Sequence, residues 1–188
     1  MTRIIGGVLG SLRLKGPAKA TRPTSDRVKE SVFSILESRR AIQDARVLDL
    51  FAGTGALGLE AASRGARSVI LVEKDPVAAK VCGENLMQVA EGLAKSGLKS
   101  HVRLVRSDAK SYLKKKELFD LVFIDPPYEM AQIQIHSLVG ELNLSDLGVV
   151  VLERSGQEEA PVIEGFILEQ EKSYGDTSVF FLARDGAR

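Results

Sequence analysis

The apolar run Leu121-Val122-Phe123-Ile124 stops at Asp125-Pro126-Pro127-Tyr128. Two consecutive prolines remove two backbone donors and fix two φ angles, so a buried strand cannot continue through them. The chain must turn, leaving an acidic acceptor and an aromatic ring at the carboxyl end of a strand. Such a corner can grip a planar, nitrogen-bearing group. Its N–H would donate to the Asp125 carboxylate and the Pro126 carbonyl, and its ring would stack on Tyr128.

Around that corner, strand and helix patterns alternate from residue 46 onward. Strands are predicted at Arg46–Leu50, Ser68–Glu73, Val102–Arg106, Asp120–Ile124 and Val149–Glu153. Helices are predicted over Gly55–Arg64, Pro76–Val89, Ala109–Lys115 and Gln132–Leu142. Several strands are near-continuous apolar runs, the pattern of a parallel sheet covered on both faces. Val162–Glu171 and Ser178–Ala183 read as two further strands joined by residues 173–177. The predicted fold is α/β: Rossmann-like, doubly wound and mostly parallel, with an antiparallel C-terminal hairpin.

Ahead of the sheet, residues 3–6 and 11–15 read as a small β-hairpin and Gly16–Pro23 as a loop. Thr24-Ser25-Asp26 then opens a helix whose apolar face is Val28, Val32, Ile35 and Leu36. Two parts are expected: an N-terminal extension over residues 1–40 and the α/β domain over residues 41–188. The extension carries nine basic residues against three acidic ones, a local charge of +6 in a chain of net charge +1. A basic arm on a mildly acidic body suits a polyanionic partner.

No apolar run approaches the ~20 residues that span a bilayer, and the first residues lack a secretory pattern. Cys82 is the single cysteine, which excludes a disulfide within the chain and makes a reducing cytoplasm the expected setting. With only His101 and His136 beside it, both expected at the surface, no metal site is expected. Lys114-Lys115-Lys116 reads as a solvated helix end, with contact to RNA as the alternative.

Val47-Leu48-Asp49-Leu50-Phe51-Ala52-Gly53-Thr54-Gly55-Ala56-Leu57-Gly58 reads as a strand, a glycine turn and a helix start. Gly53, Gly55 and Gly58 match the G-x-G-x-x-G spacing, and Glu73 ends the next strand, where a carboxylate accepts from ribose hydroxyls. An adenosine-type ligand is indicated. A dinucleotide pyrophosphate prefers helix N–H groups without a nearby acid, yet Asp49 sits just before the glycines. The α-ammonium of S-adenosylmethionine suits that acid, and Asp108, before Ala109, offers an acceptor for the adenine amino group. S-adenosylmethionine is the expected cofactor, held by Asp49, Phe51, Ala52, Gly53, Thr54, Gly55 and Gly58 with Glu73, Lys74, Asp108 and Ala109.

Three blocks together resemble the RsmD family of 16S rRNA guanine-N2 methyltransferases, within the class I methyltransferases. They are Arg3–Gly7 with Arg22-Pro23-Thr24-Ser25-Asp26-Arg27-Val28-Lys29-Glu30, the Asp49–Ala61 block, and Asp125-Pro126-Pro127-Tyr128. The Arg22–Glu30 block is the family-specific one; the other two occur throughout amino-directed methyltransferases. The resemblance implies that Asp125, Pro126, Pro127 and Tyr128 position a flipped guanine. It also implies that Arg3, Arg13, Lys15, Lys19, Arg22 and Arg27 contact 16S rRNA within an assembling small subunit, the protein acting as a monomer. The rivals are a DNA adenine-N6 or cytosine-N4 methyltransferase, a glutamine-amide methyltransferase, a non-catalytic RNA-binding assembly factor and a nicotinamide dehydrogenase.

Overall fold

The computed structural model describes residues 2–16, 26–156 and 158–186. Among the described residues fifteen elements follow one another. A short hairpin, β1 (Thr2–Arg3) and β2 (Arg13–Leu14), is followed by α1 (Asp26–Ser38). The alternating body comprises β3 (Arg46–Asp49), α2 (Ala56–Ser63), β4 (Ser68–Glu73), α3 (Pro76–Ser96), β5 (His101–Arg106), α4 (Ala109–Leu113), β6 (Leu118–Ile124), α5 (Gln132–Gly140) and β7 (Asn143–Ser155). The hairpin β8 (Phe166–Tyr174) and β9 (Thr177–Arg184) closes the chain, and a single 3-10 turn, Gly7–Leu9, joins β1 to β2.

Seven strands form one sheet in the order β5-β4-β3-β6-β7-β9-β8. β3 to β7 pair in parallel, whereas β9 runs antiparallel between β7 and β8. Successive residues of each parallel strand feed opposite faces, and both faces are covered. Val47, Val69, Leu71, Leu121 and Phe123 pack with α1, α2 and α3, and Leu48, Ile70, Val72, Val122 and Ile124 pack with α4 and α5. The doubly wound sheet expected from the apolar runs is the one observed. Val28, Val32 and Leu36 are buried as the α1 face, and Ile35 is half-buried beside them.

The differences lie at element ends. α3 runs past Val89 to Ser96 because Leu93 is buried and Gly97, at φ 77°, provides a left-handed cap. Gly92 does not break the helix: a Cβ there would sit 2.7 Å from Leu9 Cδ2, so the glycine lets the 3-10 turn pack against α3. β8 starts at Phe166 rather than Val162, because Gly165 turns the chain at φ 77° and leaves Val162 87% exposed. β7 begins six residues before Val149, its polar first half pairing with Leu118 and Phe119 ahead of a bulge. His101 is exposed as expected, but His136 is half-buried and its Nε2 is enclosed without a partner. No helix among the described residues is long and apolar enough to cross a membrane.

Candidate active site

β3, β4 and β6 are parallel neighbours, so Asp49, Glu73 and Asp125, which end or follow them, reach one edge of the sheet. The winding reverses at β3, flanked by β4 and β6; open α/β sheets form their crevice at this switch point. The turn from β3 to α2 requires its glycines. Gly55 has φ 82°, and a Cβ there would also lie 2.9 Å from Cys82 Sγ. A Cβ on Gly58 would strike Leu71 and come within 3.3 Å of the Asp49 Cβ. Without it, α2 lies against β3 and β4, and the Gly58 N–H reaches Asp49 Oδ2 at 3.0 Å.

The carboxylates differ in their surroundings. Glu73 accepts the Gly53 N–H on one oxygen and the Asp75 N–H on the other, each at 2.8 Å. Two donors orient it while each oxygen keeps a lone pair for a ligand. Asp49 is 1% exposed, and its pKa is pushed up to about 7. Burial is the main cause; the Gly58 N–H opposes it, and the charges of Asp125 and Glu73 add to it. Among the described residues no cation pairs with Asp49. The Cys82 thiol behind the turn is pushed up to about 12, by burial first and then by Asp49 and Glu73, so it is inert packing.

The remaining expected cofactor residues follow the carboxyl ends of β3, β4 and β5. Ala52 is buried and its N–H bonds the Val72 carbonyl at 2.9 Å; Phe51 packs half-buried on the α4–α5 side. The Thr54 carbonyl accepts Asn85 Nδ2 at 2.9 Å. Lys74 is exposed beside Glu73. Asp108 is exposed and caps α4, its Oδ1 accepting the Ser111 N–H at 2.9 Å just ahead of Ala109. The Ser111 side chain and N–H hold its carboxyl below the ordinary range. Asp75, which the sequence reading did not single out, caps α3 through the Val77 and Ala78 N–H groups.

At the proline corner Asp125 is half-buried, Pro126 is buried, Pro127 is exposed and Tyr128 is 45% exposed. The Met130 N–H donates to the Pro127 carbonyl at 2.9 Å and tightens the turn. Arg154 of β7, only 4% exposed, holds this loop from below: Nη2 donates to the Met130 carbonyl at 3.1 Å and to Glu158 at 2.7 Å. The sequence reading missed Arg154. Its signal is the charged pair Glu153-Arg154 directly after the apolar run Val149–Leu152.

On the arm, Arg3, Arg13, Lys15 and Arg27 are exposed. Arg3 pairs with Asp26 at 3.0 Å and Lys15 with Glu84 at 2.8 Å. Lys19 and Arg22 lie outside the described residues, as do Thr24 and Ser25. Lys29, within the family-specific block, is buried: it donates to the Arg3 carbonyl and lies 3.7 Å from Glu60. That part of the block holds the hairpin in place.

The chain matches, over residues 2–183, the family described as Conserved hypothetical protein 95. It is 34% identical over 188 residues to the ribosomal RNA small subunit methyltransferase D of Escherichia coli (strain K12), covering 97% of this chain and 90% of that protein. To the putative rRNA methyltransferase YlbH of Bacillus subtilis (strain 168) it is 33% identical over 192 residues, 98% of this chain and 100% of that one. The solved structure of the putative methyltransferase yhhF from Escherichia coli has a TM-score of 0.80 and 34% identity, over 97% of each chain. With the class I methyltransferase sheet order and these full-length relatives, the chain belongs to the Conserved hypothetical protein 95 family, alongside the small-subunit rRNA methyltransferase D proteins.

Proposed function

We propose that this chain is an S-adenosylmethionine-dependent methyltransferase acting on the exocyclic N2 of a guanine in 16S rRNA, in the cytoplasm, on an assembling small subunit. The observation that carries the cofactor assignment is one sheet edge with Asp49, Glu73 and Asp125 around a glycine turn, Asp49 being raised to about 7 with no cation beside it among the described residues. A ligand bearing an ammonium and a sulfonium complements that charge; a pyrophosphate would be repelled. The guanine-N2 assignment rests on the family and on the Asp-Pro-Pro-Tyr corner, and the basic face of the hairpin supports an RNA partner.

When bound, S-adenosylmethionine supplies an electrophilic methyl group for in-line displacement. Glu73, oriented by the Gly53 and Asp75 N–H groups, suits the ribose diol, and Asp49 suits the ammonium end. The second Asp108 oxygen suits the adenine amino group. Asp125 and the Pro126 carbonyl accept from the N–H bonds of the target amine. This favours a pyramidal nitrogen and aligns its otherwise delocalised lone pair, an orienting effect that can supply on the order of 7–11 kcal/mol. Tyr128, exposed at the corner, stacks on the base for about 1–3 kcal/mol.

Mass spectrometry of rRNA nucleosides from a deletion strain, with and without the complementing gene, tests the whole reading. Loss of N2-methylguanosine from 16S rRNA on deletion and its return on complementation are expected. An unchanged nucleoside profile would refute the substrate, and calorimetric titration with S-adenosylmethionine and a nicotinamide dinucleotide separates the two cofactor readings.

A further inference from the structure

Asn85 of α3 is fully buried, and among the described residues its side-chain hydrogen bonds go to two segments far apart in sequence. Its Oδ1 accepts the Lys15 N–H at 2.8 Å, while its Nδ2 donates to the Lys15 carbonyl at 3.1 Å and to the Thr54 carbonyl at 2.9 Å. Lys15 directly follows β2 of the basic hairpin, and Thr54 is the middle of the glycine turn. One planar amide therefore joins both, and rotating it to keep one partner breaks the others.

The connection is stiff on the α3 side. α3 is a helix of 21 residues that also carries Glu84, which pairs with the Lys15 ammonium at 2.8 Å. Cys82, one turn earlier, backs Gly55 so closely that no Cβ fits between them. Gly92, further along, receives Leu9 of the 3-10 turn. The glycine turn itself, with Gly53 and Gly55 both at positive φ, is the conformationally permissive partner. A ligand that orders the turn fixes the Thr54 carbonyl, hence the Asn85 amide, hence the backbone at Lys15. The ordering cost is then met once for both ligands, which gives positive cooperativity without a large movement.

We propose that Asn85 is a positioning residue that ties the basic N-terminal hairpin, at Lys15, to the cofactor turn, so that RNA and cofactor strengthen each other's binding. This rests on the methyltransferase reading above. The test is calorimetric titration of the full chain with S-adenosylhomocysteine, alone and with saturating small ribosomal subunits from the deletion strain. For the unsubstituted protein the subunits are expected to tighten S-adenosylhomocysteine by about fivefold or more, within the usual range of site-to-site coupling. Asn85→Ala should bring that ratio close to one, whatever it does to either affinity alone. Asn85→Asp, which keeps the acceptor for the Lys15 N–H but loses both donations, should do the same. A ratio of one in the unsubstituted protein, measurable even if the variants do not fold, would overturn the coupling and leave the methyltransferase reading standing. So would a full ratio in both variants. Failure of the unsubstituted protein to bind S-adenosylhomocysteine at all would overturn the cofactor reading, and the inference with it.

Discussion

Two carboxylates in this molecule are equally hidden from water and serve opposite ends. Glu60 of α2 is 0% exposed and Asp49 at the end of β3 is 1% exposed. Glu60 accepts the Ile5 and Gly6 N–H groups at 2.7 and 2.8 Å, Arg64 Nε at 2.8 Å, and faces the Lys29 ammonium at 3.7 Å. Asp49 accepts the Gly58 and Phe51 N–H groups, but the charges around it are those of Asp125 and Glu73. A buried charge with cations on it is architecture; a buried charge facing like charges is a site for a cation that arrives from outside. Burial alone does not distinguish them. The sign of the neighbours does.

The largest effect tests the architectural half. Glu60→Ala would leave the Lys29 ammonium buried without its carboxylate, along with two hairpin N–H groups, and removing one member of a buried pair costs about 3–5 kcal/mol. For a chain of this size that lowers the thermal midpoint by on the order of 10 °C. The paired substitution Lys29→Met with Glu60→Leu removes both charges and should recover much of the loss. If Glu60→Ala melts within a degree or two of the unsubstituted protein, the hairpin is not held by this network.

Next comes the reacting corner. Asp125→Ala should cost about 2.7–4 kcal/mol in the transition state, or 10²–10³ in rate, while the thermal transition and S-adenosylhomocysteine binding persist. Asp125→Asn separates positioning from charge, since the amide oxygen still accepts but cannot take a proton. Either change also removes one of the charges that push Asp49 up, so the pH midpoint of cofactor binding should fall below about 7. A methylation rate unchanged in the Ala variant would move the active site elsewhere.

Asp49→Asn comes third, and it splits the comparison. Losing a charge-assisted bond should weaken S-adenosylmethionine by about 1.5–3 kcal/mol, tenfold or more. The cofactor-free protein should be no less stable, in contrast to the Glu60 variant. The unsubstituted protein should bind the cofactor more tightly as pH rises and level off above about 7, because the cation requires the ionised carboxyl. Calorimetry between pH 5 and 8 reads both, and a pH-independent affinity would remove Asp49 from the cofactor's contacts.

What the sequence made legible follows the reach of each interaction. The strand, turn and helix from Val47 to Gly58 are specified by residues adjacent in the chain: apolar alternation, two positive-φ glycines and an acid one strand-end away. The proline corner is equally local, because Pro126 and Pro127 dictate their own backbone. By contrast, the burial of Lys29 depends on Glu60, that of Asn85 on Lys15 and Thr54, and that of Arg154 on Met130 and Glu158. Each is a polar residue that reads as surface until its partner is known. The same reason hid the last turns of α3: Gly92 reads as a weak helix position, and only the packing of Leu9 against it reveals its use.

The smallest expected effect comes from a third carboxylate, at the opposite end of the sheet. Asp120 of β6 accepts Arg46 Nε at 2.9 Å and Nη2 at 2.8 Å, plus the Arg46 N–H at 2.8 Å. The Arg46 side chain is the main reason its pKa falls to about 2. Asp49 and Asp120 are thus displaced in opposite directions from the same ordinary value of 3.8, and linkage gives them opposite signs. For Asp120 the folded state holds its proton less tightly than the unfolded chain. Its stabilisation is present above about pH 4 and disappears as pH falls toward 2. For Asp49 the folded state holds its proton more tightly, so stability is lost as pH rises from about 4 through 7. Asp120→Asn should therefore match the unsubstituted protein near pH 2 and fall below it by pH 4, remaining lower thereafter. The deficit should be about 1 kcal/mol, since the Arg46–Asp120 pair is partly open to solvent and screened, which amounts to roughly 2–4 °C. Asp49→Asn should match the unsubstituted protein near pH 4 and rise above it by pH 7. Thermal midpoints of the cofactor-free proteins across pH 2 to 8 would show two difference curves of opposite sign in separate windows. A difference curve for Asp49→Asn that is flat from pH 4 to 7 would mean that its carboxyl ionises as readily folded as unfolded, and the contrast with Glu60 would then rest on geometry alone.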